Sequence, residues 1–370
     1  MVKNFRSRRA VGKDDSSMRE RDLHSQIGSA VALLRAGGTV AFPTETVYGL
    51  GADVSNSSAV QRIFEIKKRP ADHPLIVHFA DASRLHHWAR EVPEQAWQLA
   101  RHFWPGPLTL ILPRSRHIPK NVTGGQDTVG LRVPDHPVAL ALLTALGADG
   151  ALAAPSANRF GHVSPTTAAH VHEELGQTVD MILDGGPCKI GLESTIVGFS
   201  NQTAIVLRPG GIPLEALAEI LNGNVLLPER ENHTVRVPGA LVSHYAPATP
   251  LELCPTAFLW KRALELEGTG LRVVIMEWSG HHLRHPENKN ILNFSMPREP
   301  AAYGSRLYAT LRRFDQARFD RLLIETPPDH PAWMAIVDRL QRANCVPGFK
   351  NQTDDHDSSR VERTTTNEAV

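Results

Sequence analysis

The chain has 370 residues, of which 41% are hydrophobic and 21% charged, a composition typical of a globular protein and not of a disordered or membrane-embedded one. Lys and Arg number 40 and Asp and Glu 39, so the formal charge of +1 gives the whole molecule no preference for nucleic acid. The 3 cysteines lie far apart, which argues against a disulfide framework or a cysteine zinc site and favours a reducing compartment.

The length and the N-terminal segment indicate how the chain is divided into domains and where the protein is located. The length predicts about two domains, since a domain averages roughly 150 residues. We expect a flexible arm over residues 1–21, because its charges are not followed by the apolar stretch of a secretory signal. Asp14 and Asp15 count against a mitochondrial presequence, and no apolar run reaches the roughly 20 residues that span a bilayer. These observations predict a cytoplasmic protein.

The first domain is predicted to begin with an amphipathic helix, because apolar residues recur at positions 23, 27, 30, 31 and 34. Gly37 and Gly38 are predicted to end this helix. Short β-branched or apolar runs then predict buried strands at residues 39–42, 75–79, 108–112, 129–133, 181–183, 195–197 and 204–207. Helical patterns separate several of them, at residues 59–67, 94–103, 137–146 and 166–175. This alternation predicts an α/β domain over residues 22–222, an open sheet with flanking helices.

A linker and a second domain are predicted to follow. We place the linker at residues 223–250, because the stretch from 228 onward is rich in Pro, Gly, Ala and Ser and has no sustained period. Strand patterns at residues 271–278 and 322–324 alternate with helical stripes at residues 303–314 and 333–340, which predicts a smaller doubly wound α/β domain over residues 251–348. Residues 349–370 have almost nothing to bury and are expected to be disordered.

The first stretch with chemical content is residues 43–51, Pro-Thr-Glu-Thr-Val-Tyr-Gly-Leu-Gly, directly after a predicted strand. Ligand sites of α/β folds form at such strand ends, and hydroxyls with glycines allow a small polar ligand to approach the backbone closely. The alternative is a turn held by local Thr hydrogen bonds. Both readings stay open at this point.

A basic cluster, Lys67-Lys68-Arg69-Pro70, ends a predicted helix. Its cations offset the negative end of the helix dipole and, taken alone, indicate a solvated basic face. Because Pro70 ends the helix, Lys67 and Arg69 could instead both be aimed toward one anion. His73 and His78 follow on the next loop and strand.

Residues 153–158, Ala-Ala-Pro-Ser-Ala-Asn, form a loop of small residues that suits a phosphate, with a structural turn as the alternative. Further polar groups stand at predicted strand ends: Thr128, Arg132, Ser164, Glu193, Ser194, Thr195 and Arg208. Arg132 and Arg208 lie beside apolar runs, where an unpaired charge is costly, so each needs an anionic partner, either Glu or substrate.

Several common sites are not predicted. The chain has no Walker loop and no G-x-G-x-x-G opening a helix, so a nucleotide site would be of another type. His86, His87, His281, His282 and His285 stand in ordinary surface contexts and do not indicate zinc. Two carboxylates for general acid/base work are not evident.

The order of these elements resembles one family, the YrdC-like threonylcarbamoyl-adenylate synthases in their long two-domain form. The motifs that carry the resemblance are GGTVAFPTETVYGLG at 37–51, K-x-R at 67–69, PLIVH at 74–78, WPGPLT at 104–109, DTVGLRVP at 127–134, APSAN at 154–158, SPT at 164–166, ESTIV at 193–197 and LRPG at 207–210. Residues 243–247, SHYAP, and 306–315, RLYATLRRFD, are similar to the linker and the C-terminal domain of the long form. The resemblance implies a YrdC-like twisted open sheet as the catalytic domain.

The resemblance also implies a nucleotidyltransferase, L-threonylcarbamoyladenylate synthase. Its substrates would be L-threonine, bicarbonate and ATP, with Mg²⁺ accompanying ATP, and its products threonylcarbamoyl-adenylate and pyrophosphate. A partner transferase would then use the adenylate for threonylcarbamoyladenosine modification of tRNA, and contact with tRNA itself stays open. We expect the linker and second domain to act as a lid, so that a fragment of residues 22–230 folds but loses most adenylate formation.

Site residues are carried over by position. Threonine contacts would fall on Thr46, His78, Arg132, Ala154 and Ser194. ATP contacts would fall on Arg69, His73, Thr128, Ser156, Ser164 and Arg208, and the catalytic set is Lys67, Arg69, Ser156 and Asn158. No protein ligand to a metal is implied. Bidentate arginines, hydroxyls and backbone donors suit carboxylates and phosphates, so catalysis would consist of positioning and charge stabilisation.

Two positions depart from the family pattern. His73 stands where the family has an ATP-contacting Asn, and Leu241 and Val242 stand where the linker has a basic and an aromatic residue, although Tyr245 is retained. The related carbamoyltransferases of hydrogenase maturation have paired zinc cysteines, which this chain lacks. A non-catalytic RNA-binding YrdC-like protein is the remaining alternative, and threonine-dependent pyrophosphate release discriminates it from a synthase.

Overall fold

The computed structural model describes residues 13–200, 203–227, 235–239, 244–280 and 288–344. Its first helix, α1 (Lys13–Arg35), begins inside the predicted arm. Residues 18–21, Met-Arg-Glu-Arg, have good helix propensity, and no Gly or Pro interrupts the stretch before Gly28, which explains the earlier start. Residues 1–12 and the predicted tail lie outside the described residues.

The larger sheet is built from strands between residues 40 and 226. In chain order they are β1 (Val40–Phe42), β2 (Gly49–Asp53), β3 (Ile76–Phe79), β4 (Leu108–Pro113), β5 (Thr128–Arg132), β6 (Ala151–Ala153), β7 (Met181–Ile182), β8 (Thr195–Ser200), β9 (Thr203–Arg208) and β10 (Val225–Leu226). They lie in the order β10-β9-β8-β4-β5-β3-β6-β2-β1-β7. The sheet is open and mixed, and each strand predicted in this part of the chain overlaps one of its strands.

Helices cover both faces of this sheet. They are α2 (Ser57–Lys67), α3 (Leu85–Trp88), α4 (Glu94–Phe103), α5 (Pro137–Ala145), α6 (Ala168–Leu175) and α7 (Leu214–Ile220). Ala41 packs on the face with α2, α4 and α6, whereas its neighbours Val40 and Phe42 pack on the face with α1 and α5. This alternation is the two-residue period of a strand, which places adjacent side chains in separate cores. Among the helices described, none is long and apolar enough to cross a membrane.

The glycines of residues 43–51 have a different role from the one predicted. Gly49 and Gly51 lie in β2 and not in a loop, and β2 pairs antiparallel with β1. A Cβ on Gly51 would lie 2.9 Å from Phe42 Cε1 and 3.1 Å from Leu152 Cδ1. These glycines therefore make room for the Phe42 ring, and only the residues before them form a ligand-facing loop.

The smaller sheet lies in the C-terminal part of the chain. Its strands are β11 (Leu251–Cys254), β12 (Val273–Glu277), β13 (Ile291–Ser295) and β14 (Arg321–Glu325), and its helices are α8 (Leu259–Glu267), α9 (Pro300–Gln316) and α10 (Met334–Asn344). The strand order is β11-β14-β12-β13 and all pairs are parallel. Helix α8 covers one face, and α9 and α10 cover the other. The prediction of a doubly wound α/β unit is confirmed, whereas the domain boundaries at residues 222 and 250 stay predictions.

The two sheets are joined by a shared hydrophobic core. Val47, Val163 and Leu192 from the larger unit belong to the same buried cluster as Tyr308 and Leu311 of α9. A Cβ on Gly191, which has φ +74°, would lie 2.7 Å from Ser305 Cα, so glycine is needed for this approach. Arg312 of α9 also pairs with Glu174 of α6. The smaller unit is therefore packed against the loops of the larger one.

The described part of the predicted linker lies against the larger sheet. Val237 is buried with Ile76, Ile111 and Ile196, and Val235 packs against the same cluster. This segment therefore contributes to a small core, although its composition predicted none. Leu241, Val242 and Ser243 lie outside the described residues.

Candidate active site

A polar cavity of about 60 Å³ lies where the larger sheet, the loop before β2 and the linker meet. It is lined by eight of the residues predicted for the site and by a set that the predictions did not assign. The predicted ones are Thr46, Arg69, His78, Arg132, Ala154, Ser156, Ser194 and Arg208, and the others are Thr44, Val47, Gly49, Ile76, Pro155, Glu193, Pro238, Gly239, His244 and Tyr245. The sequence-predicted threonine set is thus gathered in one cavity.

Arg132 stands at the end of β5, directly beside His78 of the parallel strand β3. Its Nη2 donates to Glu45 Oε1 at 2.6 Å and to Thr46 Oγ1 at 2.9 Å, and its Nε donates to Gly106 O at 3.3 Å. The anionic partner expected from the sequence is therefore Glu45. Nη1 has no hydrogen bond to any described residue and remains available to a ligand carboxylate or phosphate.

His78 is held in a defined protonation state. Burial and the charge of Arg132 lower its pKa to about 3, so the imidazole is neutral near pH 7. Its Nδ1 lies 3.2 Å from Ile76 O, and because a carbonyl only accepts, Nδ1 carries the proton. Nε2 is then a hydrogen-bond acceptor, suited to a ligand N–H or O–H.

Thr44 and Thr46 form hydrogen bonds within the turn and also line the cavity. Thr44 Oγ1 donates to Val47 O at 2.7 Å, so its contact with Thr46 Oγ1 at 2.8 Å has Thr46 as the donor. Thr46 also accepts from Arg132. The turn interpretation of this loop is confirmed by these hydrogen bonds, which also fix Thr46 in the cavity wall. Ligand binding by the loop stays a prediction.

The basic cluster after α2 divides among three environments. Lys68 ends the helix with φ 52° and is exposed, as the solvated-face interpretation expected. Lys67 is 1% exposed and donates from Nζ to Ser156 O at 2.6 Å and to Asn158 O. Burial, and then the charge of Arg69, lowers the pKa of Lys67 well below its ordinary value. Lys67 therefore holds the 154–158 loop from behind and does not line the cavity.

Arg69 turns into the cavity. It is 7% exposed, its Nη2 donates to Pro74 O at 2.9 Å, and its guanidinium carbon lies 5.4 Å from the centre of the Phe160 ring. Its Nε is buried without a partner among the described atoms. Burial lowers its pKa to about 10, which still leaves it charged near pH 7. A buried cation with an unused donor at a cavity wall fits an anionic ligand.

Arg208 and Ser194 form the opposite wall. Arg208 Nη2 donates to Ser194 O at 2.8 Å and to Ser194 Oγ at 3.2 Å, and Nη1 donates to Pro238 O at 2.9 Å. Thr109 Oγ1 lies 2.7 Å from Ser194 Oγ. Arg208 makes no ion pair with a carboxylate in the described part of the chain, and the charge of Glu193 acts on it without a direct contact.

Other predicted residues lie behind or beside the cavity and do not line it. Asn158 donates from Nδ2 to Arg159 O at 2.8 Å and to His162 O at 2.9 Å, and Ser164 donates to Glu193 Oε1 at 2.6 Å. His73 packs on Phe160 with ring centres 5.1 Å apart, and Thr128 is the first residue of β5. The catalytic role of Asn158 and the ATP contacts of His73, Thr128 and Ser164 stay predictions.

Sequence reasoning did not assign roles to Glu45 or Glu193. Both carboxylates line or support the cavity and both are neutralised by arginine, Glu45 by Arg132 and Glu193 by Arg339. Although burial alone raises it, the charges of Arg339 and Arg208 hold the pKa of Glu193 at about 2. Glu45 and Glu193 lie within sequence motifs, but the arginines that pair with them are distant in sequence. The cavity therefore has a net positive wall that suits carboxylates and phosphates.

His244 and Tyr245 close the cavity from the linker side. Burial lowers the pKa of His244 to about 3, so this ring is also neutral. Tyr245 has φ 62°, and a Cβ on Gly239 would lie 1.9 Å from the Tyr245 hydroxyl oxygen. The expected position of the linker across the groove is confirmed for these residues.

A second cavity of about 400 Å³ lies between the two units, lined mainly by apolar residues such as Leu192, Ile212, Ala301 and Ile336. It is larger, but none of the predicted site residues lines it. Of these two cavities, only the smaller one is lined by residues predicted for the site.

Two protein-family models match the chain. A model described as telomere recombination, of the Sua5, YciO and YrdC group, matches residues 32–210. A model described as the C-terminal domain of threonylcarbamoyl-AMP synthase matches residues 212–345.

Curated relatives match over most of their length. The threonylcarbamoyl-AMP synthase of Pyrococcus abyssi is 38% identical and aligns over 89% of this chain and 96% of its own. The threonylcarbamoyl-AMP synthase of Bacillus subtilis is 40% identical and aligns over 86% of this chain and 92% of its own. Among solved structures, P. abyssi Sua5 complexed with L-threonine matches with a TM-score of 0.78 and 36% identity, covering 87% of this chain and 94% of the other.

Proposed function

Because the chain belongs to the threonylcarbamoyl-AMP synthase family, we propose that its polar cavity joins L-threonine, bicarbonate and ATP into L-threonylcarbamoyl-adenylate and pyrophosphate. It is an enzyme of the nucleotidyltransferase type. The observation that carries the assignment of the site is the convergence of Arg69, Arg132 and Arg208 with Thr46, His78 and Ser194 on one cavity. Full-length synthase relatives favour catalysis over the RNA-binding alternative.

The threonine side of the cavity is proposed to be the wall formed by Arg132, His78 and Thr46. Arg132 Nη1 would bind the carboxylate of threonine, since its other donors are fixed by Glu45, Thr46 and Gly106. The free Nε2 of neutral His78 can accept a hydrogen bond from the amine or hydroxyl of threonine. A recognition of both groups predicts turnover with threonine, reduced turnover with serine and failure with valine.

The phosphate side is proposed to be Arg69, Ser156 and Arg208. Neither arginine is paired with a carboxylate in the described residues, so both charges can be compensated by a triphosphate. In the proposed reaction the threonine amine bonds to the bicarbonate carbon and water is released. A carbamate oxygen then attacks the α-phosphorus of ATP, and pyrophosphate leaves as its bond to that phosphorus breaks. These residues would orient the groups and stabilise the charge on the α-phosphate.

Mg²⁺ is proposed to arrive with ATP, bound by its phosphates. The protein residues present do not fit a dedicated magnesium site, since Glu45 and Glu193 are occupied by Arg132 and Arg339. No group of three metal-binding side chains occurs in the described part of the chain. We therefore derive no step through a protein-bound metal.

A transferase acting on tRNA is proposed as the consumer of the adenylate. A mixed anhydride of a carbamate and AMP hydrolyses readily, so a closed cavity and a dedicated acceptor enzyme are expected. A cytoplasmic location is proposed from the sparse cysteines, of which Cys188 and Cys254 are buried free thiols.

The test is release of pyrophosphate from ATP in bicarbonate buffer with threonine, serine, valine or no amino acid. The expected result is release that depends on threonine and a product of the mass of threonylcarbamoyl-adenylate. Equal release with valine, or release without any amino acid, would contradict the amino-acid site proposed for Arg132 and His78.

A further inference from the structure

Glu193 is a carboxylate of the cavity wall whose oxygens are both occupied by groups outside the cavity. Oε1 accepts from the Ser164 hydroxyl at 2.6 Å. Oε2 accepts from the Tyr308 hydroxyl at 2.9 Å and from Arg339 Nε at 2.8 Å. Tyr308 lies on α9 and Arg339 on α10, so the smaller unit supplies two of the three donors.

Arg339 contacts both strands that carry the phosphate-side wall. Besides Glu193, its Nη2 donates to Pro209 O at 3.0 Å. Glu193 immediately precedes Ser194, and Pro209 immediately follows Arg208. One guanidinium therefore joins the residue before Ser194 to the residue after Arg208, and Ser194 and Arg208 both line the cavity.

The same guanidinium supports the linker. Its central carbon lies 4.8 Å from the centre of the Tyr245 ring, which closes the cavity on that side. Arg339 is 1% exposed and its Nη1 pairs with Asp338. It cannot reach the cavity as a ligand contact, because it lies behind the wall and all its nitrogens are engaged.

The spacing of Ser194 and Arg208 depends on this support. Arg208 Nη2 reaches Ser194 O at 2.8 Å and Ser194 Oγ at 3.2 Å, so a displacement of either strand end would change both bonds. Loss of Arg339 would also remove the ion pair that neutralises Glu193 next to an anion-binding cavity. Both effects act on the same wall.

We propose that Arg339 of α10 is a positioning residue for adenylate formation, which sets Ser194, Arg208 and Tyr245 in place through Glu193 and Pro209. This inference rests on the proposed function of the cavity. It gives the smaller unit a part in the active site although that unit contributes none of the cavity-lining residues.

Arg312 provides a matched control. It also lies in the smaller unit, is largely buried, and donates across the same junction to Val163 O and to Glu174. Neither Val163 nor Glu174 lines the cavity. Loss of Arg312 therefore weakens the contact between the units but removes no hydrogen bond to Glu193 or Pro209.

The experiment compares full-length wild type, Arg339→Met, Arg339→Lys and Arg312→Met by threonine-dependent pyrophosphate release and by melting temperature. We expect Arg339→Met to lower kcat/KM for threonine and ATP by about 10²-fold, the scale of a misplaced contact. Arg312→Met should melt at a reduced temperature but keep kcat/KM within about twofold. Arg339→Lys keeps the charge but cannot bridge Glu193 and Pro209, so it should stay about tenfold or more below wild type.

Equal losses of kcat/KM in Arg339→Met and Arg312→Met would overturn the inference. A wild-type kcat/KM in Arg339→Lys would overturn it as well. An inactive wild type would instead contradict the proposed function. Should Arg339→Met fail to fold, Tyr308→Phe removes one donor to Glu193 while keeping the ring. We expect that variant to fold and to lose about three- to tenfold in kcat/KM, the effect of one lost hydrogen bond. Unchanged kinetics in Tyr308→Phe would equally count against the inference.

Discussion

Three arginines face one cavity, but their charges are compensated in different ways. Arg132 is paired with Glu45, whereas Arg69 and Arg208 donate mainly to backbone carbonyls. Carbonyl dipoles stabilise a cation less than a carboxylate does, which is why we propose Arg69 and Arg208 as the two charges that bind the triphosphate. At the residue scale, the cavity therefore has one arginine that is already paired with a carboxylate and two that are not.

The loss of Arg69 tests this division directly. We expect Arg69→Ala to lower threonine-dependent pyrophosphate release by about 10²- to 10³-fold, because a preorganised charged donor is removed from the phosphate wall. Lys68→Ala, in the adjacent exposed residue, should leave the rate within about twofold. Steady-state assays of both variants with matched circular dichroism measure the difference. Retention of more than half of the wild-type rate by Arg69→Ala would disprove the assignment.

The neutral histidines predict how stability depends on pH. The folded pKa of His78 is about 3 and the ordinary value is 6.5, so the unfolded chain binds more protons between these values. The contribution of neutral His78 to the free energy of unfolding is then fully present above about pH 6.5 and decreases as the pH falls toward 3. We expect His78 to contribute a loss of about 2 kcal/mol between pH 7.5 and pH 5.

Urea unfolding at pH 7.5 and pH 5 checks this expectation in wild type, His78→Gln and a control, His24→Gln, in the exposed part of α1. The control should lose as much stability on acidification as wild type does. His78→Gln should lose less. The same acid dependence in all three proteins would show that His78 does not titrate as its burial implies.

At the scale of elements, β1 and β2 place the ligand loop by packing tightly. The loop of residues 43–48 is short because β2 starts at Gly49, and β2 can approach β1 only because its glycines leave space for the Phe42 ring. Phe42 also lies beside His78, with ring centres 6.0 Å apart. The glycines of the motif thus support the cavity indirectly, through a strand contact.

Gly51→Ala is expected to lower stability by about 1–3 kcal/mol, because its Cβ would overpack against Phe42 and Leu152. Gly28→Ala is the matched control, since Gly28 is exposed on α1 with nothing within 4 Å of its added Cβ. That change should raise stability by about 0.5–1 kcal/mol through helix propensity. Denaturant unfolding of both variants measures whether each change lowers or raises the free energy of unfolding. A Gly51→Ala protein as stable as wild type would refute the packing role.

At the scale of the whole molecule, the two units are coupled and not merely tethered. The shared core brings Val47, Val163 and Leu192 into contact with α9, and Glu193 and Glu174 each receive an arginine from the smaller unit. Removing that unit would expose the apolar residues and leave Glu193 and Glu174 without the arginines that pair with them. The smaller unit is therefore part of the structural support of the cavity, whereas its role as a lid stays a prediction.

This coupling changes the expectation for a fragment of residues 22–230. Composition predicted that it would fold on its own core, but we now expect it to melt roughly 10 °C or more below the full chain and to lose adenylate formation, because breaking a buried ion pair costs about 3–5 kcal/mol. Adding Glu193→Gln to the fragment removes one unpaired charge and should restore part of the melting temperature. Thermal melts of the full chain and both fragments decide the matter, and equal melting temperatures would show two independent domains.

The sequence alone determined the α/β class, the doubly wound C-terminal unit and eight of the 18 residues that line the cavity. Periodicity is local, so buried strands such as β3 and β4 and the long stripe of α9 could be recognised without their neighbours. The short edge strand β13, with its mostly exposed Leu292-Asn293, had no such pattern and was not predicted. Motif order was enough to gather Thr46, Arg69, His78, Arg132 and Ser194.

Only the tertiary structure decided which charges are paired and which residues stand behind the wall. Glu45 meets Arg132 across 87 residues of sequence and Glu193 meets Arg339 across 146, and no local pattern encodes such partners. Lys67 and Asn158 have motif positions like those of Arg69 and Ser156, yet their burial places them outside the cavity. The reason is physical: periodicity reports the neighbours along the chain, whereas burial and ion pairing depend on residues that only the folded topology brings together.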